Sequence, residues 1–99
     1  MREAEIEKYL VAQTQSRGGL ALKLVSPGHS GVPDRIVILP GGRVGFLELK
    51  APGETPRKEQ LLWIDRLRLK GCLADWADTK DQVDEFLFRL ICLEQGGTP

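Results

Sequence analysis

The chain has 99 residues, of which 41% are hydrophobic and 28% are charged, and its 14 basic and 14 acidic side chains give a formal net charge of zero. This length accommodates a single domain, residues 1–99, and the balanced charge excludes a polyanion binder that is basic over its whole surface. The sequence contains no signal peptide and no apolar run long enough to span a membrane, so we expect a cytoplasmic protein. Cys72 and Cys92 have no CxxC spacing and are expected to be small core residues in a reducing compartment.

The first third of the chain predicts a helix, a strand and a long loop. Apolar residues spaced four apart predict a helix over 3–17, which the glycine pair at 18–19 ends. Residues 20–25 favour a short strand. The segment 26–33 contains two prolines and two glycines, so it is expected to be a rigid loop rather than a simple turn.

The remainder predicts a hairpin followed by a helix, a strand and a second helix. Strands over 34–39 and 43–50 are joined by a Pro-Gly-Gly turn. Thr55 and Pro56 are expected to be the N-cap and first residue of a helix that ends at Gly71. A strand over 72–77 and a helix over 79–93 complete the order α-β-β-β-α-β-α. The predicted fold is therefore α/β, a single mixed sheet flanked by helices.

The hairpin places two acidic residues opposite each other. If Pro40-Gly41-Gly42 is a three-residue loop, Leu39 pairs with Arg43, and the pairing brings Asp34 opposite Glu48 on one face. A shift of one residue would separate the two carboxylates onto opposite faces. Lys50 follows on the face of Glu48.

Two facing carboxylates repel each other unless a cation lies between them. Mg²⁺ suits such a pair because it accepts one or two carboxylates, keeps several waters and bridges to phosphate oxygens. Lys50 could then orient the attacking water or stabilise charge on the phosphate. The alternative is that Asp34, Glu48 and Lys50 are ordinary polar residues at the open end of a hairpin.

Neighbouring residues favour the site. Gln60 shares the core-facing stripe of its helix, so its amide needs polar partners. Glu3 and Glu7 flank the apolar stripe of the first helix, and either could supply a third acid. His29 lies in the loop that leads to Asp34 and could contact a phosphate, although a plain surface role is the more usual one for such a residue.

These residues together resemble the VRR-NUC (virus-type replication–repair nuclease) family of the PD-(D/E)xK nuclease superfamily. The similarity runs from the first helix to the last and is carried by three motifs: Gly31-Val32-Pro33-Asp34-Arg35, then Leu39-Pro40-Gly41-Gly42, then Glu48-Leu49-Lys50-Ala51-Pro52-Gly53 with Gln60 after it. The resemblance implies a restriction-endonuclease-like fold. It also implies a metal site of Asp34, Glu48 and Glu3, with Lys50 and Gln60 completing the catalytic set, and Mg²⁺ as the cofactor, for which Mn²⁺ substitutes. No organic cofactor is expected.

The chain is similar to the stand-alone members of the family from phages and bacteria, which resemble Holliday-junction resolvases. This implies a homodimer that cleaves branched DNA in DNA repair. We expect DNA contacts from His29, Arg35, Arg57 and Lys58. A flap- or nick-directed nuclease and a non-catalytic DNA-structure-binding domain remain as alternatives. A wide apolar stripe on the last helix, extended by Phe88, also favours a dimer.

Overall fold

The computed structural model describes residues 2–93. Three helices and four strands follow the predicted order. The elements are α1 (Glu3–Ser16), β1 (Leu20–Lys23), β2 (Arg35–Leu39), β3 (Arg43–Leu49), α2 (Lys58–Leu69), β4 (Leu73–Ala77) and α3 (Lys80–Ile91). Within these residues no helix is long and apolar enough to cross a membrane.

The four strands form one mixed sheet in the order β1-β2-β3-β4. The β1–β2 and β2–β3 pairs are antiparallel, and β3 and β4 are parallel, because α2 carries the chain back to the starting end of the sheet. The predicted mixed α/β fold is therefore confirmed.

Helices α1 and α3 cover one face of the sheet and enclose the core. A Cβ atom on Gly45 would lie 2.7 Å from the Phe86 ring, so α3 packs directly on β3 where that strand has no side chain. Eleven buried residues form this core: Ile6, Leu10, Val37, Leu39, Leu47, Leu49, Ala77, Val83, Phe86, Leu87 and Leu90. Burial of these side chains supplies most of the stability of so small a domain.

The opposite face is only partly covered by the helices of residues 2–93, since α2 packs chiefly over β4 and contacts β3 at Glu48. Two rows of apolar side chains cross this open sheet face. They are Leu20–Ile38–Val44 and Leu22–Ile36–Phe46. Leu20 and Leu22 are 55% and 47% exposed.

Two boundaries and one cysteine differ from the predictions. Helix α2 begins at Lys58 with Arg57 as its N-cap, rather than at Thr55 and Pro56, because the Gln60 side chain accepts a hydrogen bond from the Arg57 N–H at 2.8 Å. Strand β1 ends at Lys23. Cys92 lies exposed at the C-terminal cap of α3 and is not a core residue.

Candidate active site

The register of the hairpin brings the two acidic residues together. Strands β2 and β3 pair from Leu39 with Arg43 to Arg35 with Leu47, which is the register of a three-residue turn. The next position in this series sets Asp34 opposite Glu48. The Asp34 N–H donates to Glu48 Oε1 at 3.2 Å, and the Leu49 N–H donates to Asp34 Oδ1 at 3.1 Å. Each carboxylate is thus held by the backbone of the other's strand end.

Gln60 connects this pair to α2. Its Nε2 donates to Glu48 Oε2 at 3.0 Å, and its Oε1 accepts from the Arg57 N–H at 2.8 Å. The residue is buried, so both ends of the amide are satisfied away from water. Gln60 therefore caps its own helix and fixes the rotamer of Glu48.

Lys50 provides a positive charge next to Glu48. Its Nζ lies 3.7 Å from Glu48 Oε2, and its backbone N–H donates to the Ala77 carbonyl at 2.9 Å. The side chain is only 14% exposed, which keeps the ammonium close to the carboxylates. The structure thus brings together Asp34, Glu48, Lys50 and Gln60.

The carboxylates carry more negative charge than Lys50 balances. Burial, followed by the proximity of Asp34, raises the pKa of Glu48 from 4.5 to about 7. Burial also raises the pKa of Asp34, although the hydrogen bond from the Leu49 N–H acts against this shift. Such a pair favours a bound cation, because a cation would remove the cost of the second charge.

Glu3 approaches the pair from α1 as a more distant acid. Its pKa is raised, chiefly by partial burial and then by the charge of Asp34. Glu7, one turn later, instead forms an ion pair with Arg35, with 2.8 Å between Glu7 Oε1 and Arg35 Nη2. Among residues 2–93, no three His, Cys, Asp or Glu side chains are arranged closely enough to hold a metal ion. Glu3 therefore lies beside the facing carboxylates without completing a three-ligand cluster with them.

The four residues predicted to contact DNA occupy different environments. His29, Arg57 and Lys58 are exposed, on the loop before β2 and at the start of α2. Arg35 is 5% exposed and its guanidinium is paired with Glu7, so its DNA contact stays a prediction and its observed partner is an acid of α1. Arg35 shares a face with the core residues Val37 and Leu39 of β2, and this is the face that α1 and α3 cover.

The donor set suits a hard divalent cation such as Mg²⁺. Both carboxylates come from one hairpin, and their hydrogen bonds from Gln60 and the backbone hold them in place. Of the four carboxylate oxygens, Asp34 Oδ2 accepts no hydrogen bond from the described residues. Two carboxylate ligands and retained water are the coordination that Mg²⁺ prefers.

Comparisons with known proteins give the family of the chain. No family profile matches the chain. A protein of Acyrthosiphon pisum secondary endosymbiont phage 1 named "Putative nuclease p44" is 48% identical over 81 residues, which cover 82% of this chain and 87% of the relative. A solved structure described as a VRR_NUC domain superposes with a TM-score of 0.80 at 34% identity, over 87% of this chain and 94% of that one. The chain belongs to the VRR-NUC family of nucleases. In this VRR-NUC domain the signature residues meet on one hairpin and on the first turn of α2.

Proposed function

We propose that the protein is a metal-dependent endonuclease that hydrolyses phosphodiester bonds in DNA. The observation that carries the proposal is the facing pair of Asp34 and Glu48, each held by the other's strand end, with Lys50 and Gln60 in contact with Glu48. Mg²⁺ is the proposed cofactor, and Mn²⁺ is expected to replace it. Membership of the VRR-NUC family supports the activity class.

Each side chain has a distinct role in this proposal. Asp34 and Glu48 would hold the divalent cation, with Glu3 as a further acid beside them, and the cation would supply Lewis-acid chemistry at the phosphate. Lys50 orients the attacking water and stabilises negative charge that develops on the phosphate oxygens. Gln60 is a positioning residue, since it contacts Glu48 and holds its carboxylate toward Asp34.

A cleavage assay tests the activity and its substrate. The panel is a four-way junction, a flap, a nicked duplex, an intact duplex and single strands, each with Mg²⁺, Mn²⁺ or EDTA. We propose branched DNA as the preferred substrate, so we expect metal-dependent cuts in the junction or flap. Asp34→Asn and Lys50→Met are expected to abolish them. Binding of branched DNA without cleavage in any metal would favour a non-catalytic structure-binding domain.

We also propose that the protein is a homodimer, joined through the open sheet face. This face presents six apolar side chains on three strands, and a second copy would present the same set across a two-fold axis. The zero net charge places no electrostatic barrier between copies. Asp34 and Glu48 lie on the same face, so a partner docked there would border the active site.

Leu22→Lys and Phe88→Lys test which of two exposed apolar surfaces, the open sheet face or α3, forms the dimer interface. Leu22 is on the open sheet face, whereas Phe88 is 66% exposed on α3. We expect Leu22→Lys to convert a dimer to a monomer in light scattering and Phe88→Lys to leave it unchanged. The reverse result would place the interface on α3, and a monomeric wild type would exclude the dimer.

A further inference from the structure

The loop at 26–33 contacts α2 at two points beside the active site. Gly31 has φ +94, and a Cβ atom there would lie 2.8 Å from the backbone carbon and oxygen of Glu59. Only glycine permits this approach without strain. One turn further along α2, the rings of His29 and Trp63 meet edge-on with centroids 5.6 Å apart. The loop that leads to Asp34 is thus fixed against the helix that carries Gln60.

The ring of Trp63 also contacts the side chain of Arg66. The Arg66 guanidinium carbon lies 4.8 Å from the centroid of the Trp63 ring, in cation–π contact. Arg66 is exposed, and within residues 2–93 it forms no ion pair and donates no side-chain hydrogen bond to the protein. Arg68, on the same helix, is by contrast engaged by the Ala74 carbonyl and by Asp75.

The position of Arg66 relative to the carboxylates is set by the helix. Gln60 contacts Glu48, and Arg66 follows Gln60 by six positions in the helix, a distance of about 9 Å along the axis. A nucleic acid strand advances about 3.4 Å per nucleotide, so this distance corresponds to roughly two or three nucleotides. A strand that has one phosphate at Asp34 and Glu48 and runs along α2 would therefore have a further phosphate beside the turn of helix from which Arg66 extends.

We propose that His29, Trp63 and Arg66 form a phosphate-binding rim that guides one DNA strand from the carboxylates along α2. Arg66 and His29 contact the backbone. Trp63 is a positioning residue, because its ring orients the guanidinium and ties the loop to the helix. This proposal rests on the proposed nuclease function and adds the path of the strand to it.

Salt-dependent binding tests the phosphate contact. The dissociation constant of a fluorescein-labelled four-way junction is measured by anisotropy in EDTA at several KCl concentrations. Loss of one phosphate contact reduces by about 0.9 the steepness with which the logarithm of the association constant falls with the logarithm of the salt concentration. At about 0.1 M salt this corresponds to an affinity about eightfold weaker. We expect this change for Arg66→Gln and no change in slope for the matched control Arg68→Gln.

The role of Trp63 is tested by non-additivity. Trp63→Leu is expected to weaken binding in the wild-type background but to add little once Arg66 is already glutamine. A second readout uses Trp76→Phe, which leaves Trp63 as the single tryptophan, and we expect its emission to change on DNA binding. Equal losses in both backgrounds, or an unchanged emission, would reject the positioning role.

The outcomes distinguish this proposal from the nuclease function. If the wild type cleaves DNA, Asp34→Asn abolishes cleavage and Arg66→Gln binds with an unchanged slope, the rim is refuted and the nuclease stands. If the wild type cleaves no DNA in the panel described above with either metal, the nuclease function is refuted; an unchanged slope for Arg66→Gln would then refute the rim as well, whereas a reduced slope would leave it as the surface of a DNA-binding domain.

Discussion

Replacing Asp34 by asparagine is expected to make the metal-free protein more stable while abolishing its activity. The asparagine oxygen can still accept the hydrogen bond from the Leu49 N–H, so the strand end keeps its contact. The substitution removes one of two negative charges that the fold places face to face. A stabilising substitution at a site that performs the chemistry indicates that the site is held at a cost to stability.

The magnitude follows from the pKa of Glu48. A rise from 4.5 to about 7 corresponds to a stability loss of about 3 kcal/mol as Glu48 ionises in the fold. This stability is present below pH 4.5 and is lost as the pH rises through about 7, because the folded state holds the proton more tightly than the unfolded chain does. Burial is the larger cause and Asp34 the second, so Asp34→Asn should recover about 1 kcal/mol at pH 8.

Urea denaturation at pH 5 and pH 8, with and without Mg²⁺, measures these effects. In the wild type we expect the free energy of unfolding to fall between the two pH values in EDTA and to recover with Mg²⁺, by about 2.7 kcal/mol at a hundredfold excess over the dissociation constant. Asp34→Asn should show a smaller fall and no recovery. The control Asp65→Asn, at an exposed position of α2, should behave as the wild type.

Two results would refute this reasoning. One is an Asp34→Asn variant that is less stable than the wild type at pH 8 in EDTA, which would mean that the carboxylates do not strain the fold. The other is a variant that retains stabilisation by Mg²⁺, which would mean that Asp34 is not a ligand.

Three further substitutions test contacts around the site. Gln60→Leu should reduce cleavage by an order of magnitude or more with little change in DNA affinity, since it releases the Glu48 carboxylate; a changed dissociation constant with unchanged kcat would contradict this. Gly31→Ala should destabilise the fold by about 1–3 kcal/mol in urea denaturation, because it introduces a Cβ at positive φ against the backbone of α2. Glu7→Gln leaves the buried guanidinium of Arg35 without its ion pair and should cost about 1–3 kcal/mol, since Glu7 is partly exposed, whereas the double replacement by methionine should cost less. Equal melting temperatures for the single and double variants would show that this pair is not coupled.

The sequence contained the core of the site but not its surroundings. The Pro40-Gly41-Gly42 turn set the register, and the register alone placed Asp34 opposite Glu48. Periodicity also placed Gln60 on the buried stripe of its helix. The start of α2 was missed because Gln60 caps the helix from within, and no local residue preference reveals that contact.

The coverage of the two sheet faces could not be predicted either. Strands β2 and β3 are apolar on both faces, so alternation divides the side chains into two sets without showing which set a helix covers. The burial of Arg35 follows once α1 and α3 are known to pack on its face. The exposure of Leu22 on the other face follows from the position of α2 over β4. Both depend on packing between distant segments of the chain.

The crossed hydrogen bonds between Asp34 and Glu48 also restrict which sequences can diverge from this one. Backbone pairing of β2 and β3 ends at Arg35 and Leu47. Beyond that pair, hydrogen bonds from backbone N–H groups to the two carboxylates connect the strands. A mutation to alanine at either acid would therefore release this end of the two strands as well as remove a proposed metal ligand. In related sequences, substrate preference could change through substitutions of exposed side chains in the loop at 26–33 and in α2, because these cost little stability. At the end of the hairpin, almost no substitution would be tolerated.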